Sequence, residues 1–157
     1  MEIRTGGLAD VPQVVRLHLS AWDAAKEGLD LPTRPGPDVR RQRWTDFIES
    51  GEGTLLVADD AGLVGFLSYG PSRDADRAGE FEVYTLYVDP GRWGTGVADA
   101  LMAHVPSSGV VSLWVAQRNA RARGFYARHG YVADGATDPG HHVPVIRLAR
   151  PHSTPGR

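Results

Sequence analysis

Along the first third of the chain, apolar positions recur at helical spacing. After Asp10, Val11, Val14, Val15, His18, Trp22 and Ala25 fall on one face, and Asp10 is placed to cap that helix. Leu29 to Pro37 crowds prolines and glycines together and reads as a loop. Asp38 opens a second helical segment that buries Val39, Trp44, Phe47 and Ile48, and Gly51 and Gly53 end it. The pattern then changes period. Thr54–Ala58 and Leu63–Tyr69 are strand-like runs joined by Asp59-Asp60-Ala61-Gly62, a hairpin signal. Pro71–Gly79 is polar and reads as an exposed loop, and Glu80–Val88 returns to strand formers.

The second half alternates. Gly94–Val105 regains helical spacing through Val97, Ala98, Leu101, Met102 and Val105, and Val110–Ala116 reads as a buried strand. Asn119 begins a helix with Ala122, Phe125, Tyr126 and His129 inside, closed by Gly130. Tyr131–Ala133 and Val143–Leu148 are two closing strands, and a disordered tail is expected over 151–157. With a first strand around Ile3, the order is β-α-α-β-β-β-α-β-α-β-β. Hairpins first and a strand–helix–strand unit later predict an α/β fold, a mixed sheet with helices packed on it. A length of 157 residues suits one domain, placed over 1–150.

Candidate chemistry centres on Leu86-Tyr87-Val88-Asp89-Pro90-Gly91-Arg92-Trp93-Gly94-Thr95-Gly96-Val97. A strand runs into a proline-ended turn, and glycines then open an amphipathic helix. Glycine permits positive φ and close approach of a ligand, and the free N–H groups of a helix start converge on an anion. The spacing is Gly-x-x-Gly-x-Gly without Gly-Lys-Ser/Thr, so neither the nucleotide-triphosphatase loop nor the dinucleotide fingerprint is present. Such a turn suits a pyrophosphate held without a catalytic metal.

Composition narrows the field further. There is no cysteine, which removes disulfides, thiolate metal sites and a cysteine nucleophile. A formal charge of −2 gives no basic face for nucleic acid, and no apolar run is long enough to span a membrane. The start Met1-Glu2-Ile3-Arg4 lacks a signal-peptide core, so a cytoplasmic location is expected. His141-His142 has no third ligand in view and reads as a polar loop.

Leu86-Tyr87-Val88 followed by Pro90, Gly94 and Gly96 resembles the acetyl-CoA motif of the GCN5-related N-acetyltransferases (GNAT), usually written Gln/Arg-x-x-Gly-x-Gly/Ala. Gly91 stands at its first position, a departure, with Arg92 beside it. Leu113-Trp114-Val115, Asn119 and Phe125-Tyr126-Ala127-Arg128-His129-Gly130-Tyr131 resemble the family's closing motif. The resemblance implies a GNAT-like sheet of about seven strands with helices on both faces. It also implies acetyl-CoA as donor, an amine acceptor that is a small molecule or a peptide, and no metal. Homodimers are a habit of the family.

Residue by residue, the resemblance implies backbone pairing of pantetheine along Leu86, Tyr87 and Val88, and pyrophosphate on Arg92, Trp93, Gly94, Thr95, Gly96 and Val97. It implies Asn119 as a further cofactor contact, which residue type alone makes a helix cap. Strand alternation places Glu80, Glu82, Tyr84, Leu86 and Val88 on one face. Glu82 is the expected general base there, and Glu80 the reserve candidate beside the acceptor. Tyr126 holds the position that protonates the CoA thiolate, although its place on the apolar face also suits a core aromatic. Arg123 sits in a first helical turn, where the macrodipole disfavours a cation, and a CoA phosphate would relieve this. Trp22 and the Leu29–Pro37 loop are candidates for acceptor contacts, while His18 reads as a packed core residue. An alternative from another class is a catalytically inactive CoA-binding sensor or interaction domain.

Overall fold

The computed structural model describes residues 1–25, 35–139 and 143–151. The loop expected after Leu29 (as far as residue 34), His141-His142 and the tail beyond Pro151 therefore lie outside the described residues. The elements are β1 (Glu2–Thr5), α1 (Val11–Ala25), α2 (Pro37–Ser50), β2 (Thr54–Asp59), β3 (Leu63–Pro71), β4 (Phe81–Val88), α3 (Val97–Met102), β5 (Val111–Ala116), α4 (Ala120–Arg128), β6 (Val132–Asp138) and β7 (Val145–Arg150). This is the predicted order. The strands form a mixed seven-stranded sheet, β1-β2-β3-β4-β5-β7-β6. Residues pack as two compact units, Met1–Gly70 with Thr85–Val105, and Pro71–Tyr84 with Pro106–Arg157.

In the first unit, β1 pairs antiparallel with β2 and β2 with β3. Alternation along β3 decides what each face meets. Phe66 joins Val11, Val14, Val15 and Leu17 of α1, Trp44 of α2, and Leu55 and Val57 of β2 in one buried cluster. Gly65 points the other way, beneath α3. A Cβ there would stand 3.0 Å from Val97 Cγ1 and 3.1 Å from the Tyr87 carbonyl, so the helix can approach only because the side chain is missing. Helices thus cover both faces of this unit's strands.

Several boundaries differ from the sequence reading. Asp10 closes a 3-10 turn, Leu8–Asp10, with its carboxylate accepting from Gly7 N at 2.9 Å and from Arg4 at 2.9 and 3.0 Å. It serves that turn and β1 rather than capping α1. Helix α2 starts one residue early, with Gly36 as N-cap and Pro37 at its first turn, and ends at Gly51 with φ 66°. Helix α3 is shorter than Gly94–Val105. Gly94 and Gly96 take φ of 75° and 93°, outside helical geometry, and the last turn closes by i→i+3 bonds, His104 N to Leu101 O and Val105 N to Met102 O.

In the second unit, β5 pairs antiparallel with β7, and β7 with β6. Phe81 and Glu82 of β4 pair in parallel register with Val111 and Ser112 of β5. Strand β6 runs to Asp138 instead of stopping at Ala133. Gly135 at φ 94° makes an irregularity between Ala133 and Thr137, beyond which pairing with β7 resumes.

Candidate active site

After β4, Asp89 N donates to Val64 O at 2.9 Å, and the Asp89 carboxylate accepts from Gly91 N at 3.1 Å. Pro90–Arg92 forms a single 3-10 turn, continued by Thr95 N to Arg92 O at 3.3 Å. Trp93 is pinned through Nε1 to Val88 O at 3.0 Å, and Arg92 pairs with Asp60 at 2.8 Å. Gly94, Thr95 and Gly96 are exposed, and nothing lies within 4 Å of where a Cβ would stand on either glycine. The turn is therefore an open cradle of backbone. Val97 is buried against Gly65, so only its N–H can face a ligand.

Gly91 does not share this geometry. Its φ is ordinary and a Cβ would meet only Asp89 Oδ1, at 3.7 Å. The backbone leaves room for the Gln or Arg usual at that position, so the departure from the motif is a missing side chain and not a different turn.

The Tyr87 ring packs inward, 4.6 Å from the His18 ring and 5.6 Å from Phe66, so of this residue only backbone is left for a cofactor. Burial pushes the Tyr87 phenol up from its usual value, opposed by the charge of Arg40. Arg40 Nη1 also lies 2.9 and 2.8 Å from the two ring nitrogens of His18. Burial and then Arg40 hold the histidine down to about 3, which keeps it neutral at ordinary pH. His18 is a packed residue, as its place on the apolar face implied. Trp22 belongs to α1, but its side chain lies outside the described residues.

Glu82 belongs to the second unit and is 2% exposed, not a solvated edge carboxylate. Oε1 accepts from Arg73 N at 2.9 Å and Nε at 3.4 Å, and Oε2 accepts from Arg73 Nη2 at 2.7 Å. Parallel register sets Ser112 beside it on the same face, and the buried Ser112 hydroxyl has no hydrogen-bond partner among the described residues. Glu80 precedes the strand instead of sharing its face, and its carboxylate pairs with Arg77 at 2.8 Å. The polar segment Pro71–Gly79 is not a free loop. Arg147 of β7, 5% exposed, binds Asp74, Asp76 and Asp134 at once, and Trp114 Nε1 donates to Asp74 at 2.8 Å. Sequence reasoning passed over Arg147. The available signal was an arginine inside a run of buried apolar residues, which demands carboxylate partners.

Asn119 caps α4 by accepting from Ala122 N at 3.1 Å. Arg123 turns back to donate to Gln117 O at 3.0 Å. Tyr126 is half-buried, with ring centroids 5.3 Å from Phe125 and 6.0 Å from Tyr131. Of the expected site residues, Leu86 to Val97 fall in the first unit, and Glu80, Glu82, Asn119, Arg123 and Tyr126 in the second. Among the described residues, no group of three His, Cys, Asp or Glu is placed to hold a metal, and no helix is long and apolar enough to cross a membrane.

The chain is an α/β protein with a mixed seven-stranded sheet and an open glycine turn leading into a helix after the fourth strand. The chain belongs to the acetyltransferase (GNAT) family, whose model matches residues 14–131. That family's enzymes are acetyl-CoA-dependent acyltransferases, and this protein is one of them. Among its relatives, an uncharacterized N-acetyltransferase of Mycobacterium bovis is 30% identical over 84% of this chain and 79% of its own length. A probable N-acetyltransferase of Mycobacterium tuberculosis is 26% identical over 87% and 83%. The solved PaiA N-acetyltransferase of Thermoplasma acidophilum, in complex with coenzyme A, superposes with a TM-score of 0.78 at 15% identity, covering 96% of this chain and 98% of that one. At that identity the likeness is one of fold.

Proposed function

We propose that the protein transfers acetyl from acetyl-CoA to the amine of a small acceptor by direct attack within a ternary complex, without a metal. The observation that carries the reading is the open glycine turn. Gly94 and Gly96 stand at positive φ with no atom within 4 Å of a would-be Cβ, as a backbone cradle for pyrophosphate requires. In this reading the N–H groups of Gly94, Gly96 and Val97 hold the pyrophosphate, flanked by Arg92, Trp93 and Thr95. The backbone of Leu86, Tyr87 and Val88 pairs with pantetheine, and Asn119 and Arg123 serve the remainder of the cofactor. Trp22 and Glu80 border the acceptor.

Glu82 takes a proton from the acceptor ammonium, directly or through a water held at the Ser112 hydroxyl, and so frees the nitrogen lone pair. The amine nitrogen then bonds to the thioester carbon and the carbon–sulfur bond breaks. Tyr126 protonates the departing sulfur and regains a proton from the nitrogen that has become an amide. The cofactor gains from its turn a fixed carbonyl position, and the acceptor gains from Glu82 a nucleophile at neutral pH.

The test follows thiol release from acetyl-CoA across an amine library, with product mass as a second readout. Glu82→Gln should lower turnover on the order of a hundredfold or more, and adding Tyr126→Phe should lower it further. Undiminished turnover in the double variant overturns these two roles. Acetyl-CoA binding without turnover on any amine would instead favour a sensor.

A further inference from the structure

The partner of Glu82 is the unusual feature of this site. A carboxylate 2% exposed is joined to a guanidinium whose side chain is 66% exposed, so the cation lies on the solvent side of the anion. Arg73 grips in two independent ways. Its backbone N–H fixes Oε1 at 2.9 Å, while its side chain takes Oε2 at 2.7 Å. The guanidinium also stacks over the Tyr84 ring at 4.4 Å, and the Tyr84 hydroxyl donates to Pro71 O at the start of the same segment. Nη2 takes one acceptor position of Oε2, so an amine approaching that oxygen must compete with the guanidinium for it. Removing the side chain leaves the backbone bond, and with it the position of the carboxylate.

The surroundings favour a cation. Asp74, Asp76, Glu80, Glu82 and Asp134 form ion pairs with Arg73, Arg77 and Arg147, so five carboxylates face three guanidiniums. Withdrawal of Arg73 widens that surplus at the point where Glu82 becomes accessible.

Building on the reading of Glu82 as general base, we propose that Arg73 is the specificity-determining residue of the acceptor site. Its guanidinium holds the place of the acceptor ammonium on Oε2, and only an amine that arrives charged displaces it. The ammonium then gives one proton to Oε2, leaving a neutral amine and a protonated carboxyl, so charge and protons balance before acyl transfer begins. Acceptors of this class are unhindered primary ammonium compounds, favoured further by a second positive charge.

The experiment compares wild type, Arg73→Gln and Arg73→Lys with 1,4-diaminobutane as the amine probe, at saturating acetyl-CoA. In Arg73→Gln the KM for the diamine should fall about fivefold to tenfold, the scale of one partly exposed ion pair, with kcat held within about twofold. Arg73→Lys should restore the wild-type KM. Millimolar methylguanidinium should compete with the diamine in Arg73→Gln and not in wild type. In parallel, the Glu82 side-chain carbonyl resonance, assigned by its loss in Glu82→Gln, should respond to diamine at lower concentration in Arg73→Gln. A KM unchanged or raised, a kcat loss of about tenfold, or a Glu82 resonance indifferent to diamine in both proteins overturns the proposal. Retained turnover in Glu82→Gln strikes the general-base reading itself. Abolished turnover there, with no shift in Arg73→Gln, strikes only the role of Arg73.

Discussion

Arg147→Met tests whether the ion network of the second unit holds the Pro71–Glu80 segment to the sheet. Arg147 lies opposite Trp114 across the β5–β7 ladder and reaches Asp134 at 2.6 Å, Asp76 at 2.6 and 2.8 Å, and Asp74 at 3.2 Å. Breaking a buried pair by removing one partner costs about 3–5 kcal/mol, because a charge is left uncompensated. Here the loss is softened. Asp134 keeps Arg77 at 2.9 Å, Asp74 keeps the indole of Trp114 at 2.8 Å, and Asp76 is 66% exposed and returns to water. We expect about 2–3 kcal/mol, or a melting point lower by about 5–10 °C in a chain of this size.

The pH dependence supplies a second check. The Arg147 hydrogen bond holds the Asp76 carboxyl below its usual range. Burial alone would raise Asp134, but the Ala136 N–H, Arg77 and Arg147 together hold it below as well. Carboxyls depressed in the folded state stabilise it above their unfolded value of 3.8 and lose that contribution as pH falls through the folded value. Urea unfolding of wild type and variant should therefore show its full gap from pH 7 to pH 5 and a narrowing gap below pH 4. A gap under about 1 kcal/mol at pH 7, or one equal at pH 7 and pH 3, refutes the reasoning.

Gly96→Ala should cost about 1–2 kcal/mol, since φ of 93° is poor for any residue with a Cβ, and should weaken acetyl-CoA binding. Gly91→Ala, at ordinary φ with room around it, should be neutral or stabilising by about 0.5 kcal/mol. Thermal melts with and without acetyl-CoA check both, and equal behaviour of the two variants would contradict the assignment. His18, held down to about 3, is a group whose folded value is depressed from 6.5. Its contribution is whole above pH 6.5 and falls by about 2 kcal/mol on going to pH 5, a loss absent in His18→Gln. A proton NMR inflection of its ring between pH 6 and pH 7 would count against this.

Element types were legible because period carries them. The change from helical spacing before Ser50 to alternation after Thr54 marks the hairpin, and glycines mark the ends of α2 and α4. Boundaries were less legible where one residue type serves two ends. Gly94 and Gly96 belong to a helix start by motif, yet their positive φ keeps them outside α3. The strand expected to end at Ala133 runs on to Asp138, because β6 absorbs the register irregularity between Ala133 and Thr137. The type and place of Glu82 were readable from spacing. Its burial and its bond to Arg73 were not, because both depend on which long, flexible cation folds back upon it.

Arg73 and Arg147 show what composition conceals. Both are arginines in a chain with a single lysine, and a count treats them alike. Arg147 is nearly sealed and spread over three carboxylates, a geometry that costs much to break and holds one shape. Arg73 keeps most of its side chain in water and commits only its side-chain donors to a carboxylate that its own backbone already fixes. The first pairing anchors the segment, so the second can open without the segment moving. A cation meant to be displaced needs that arrangement: an immobile frame, a carboxylate that stays in place when it leaves, and enough exposure that leaving costs little. On this ground we propose the acidic loop before β4, which composition alone would assign to solvent, as the place where acceptor choice is made.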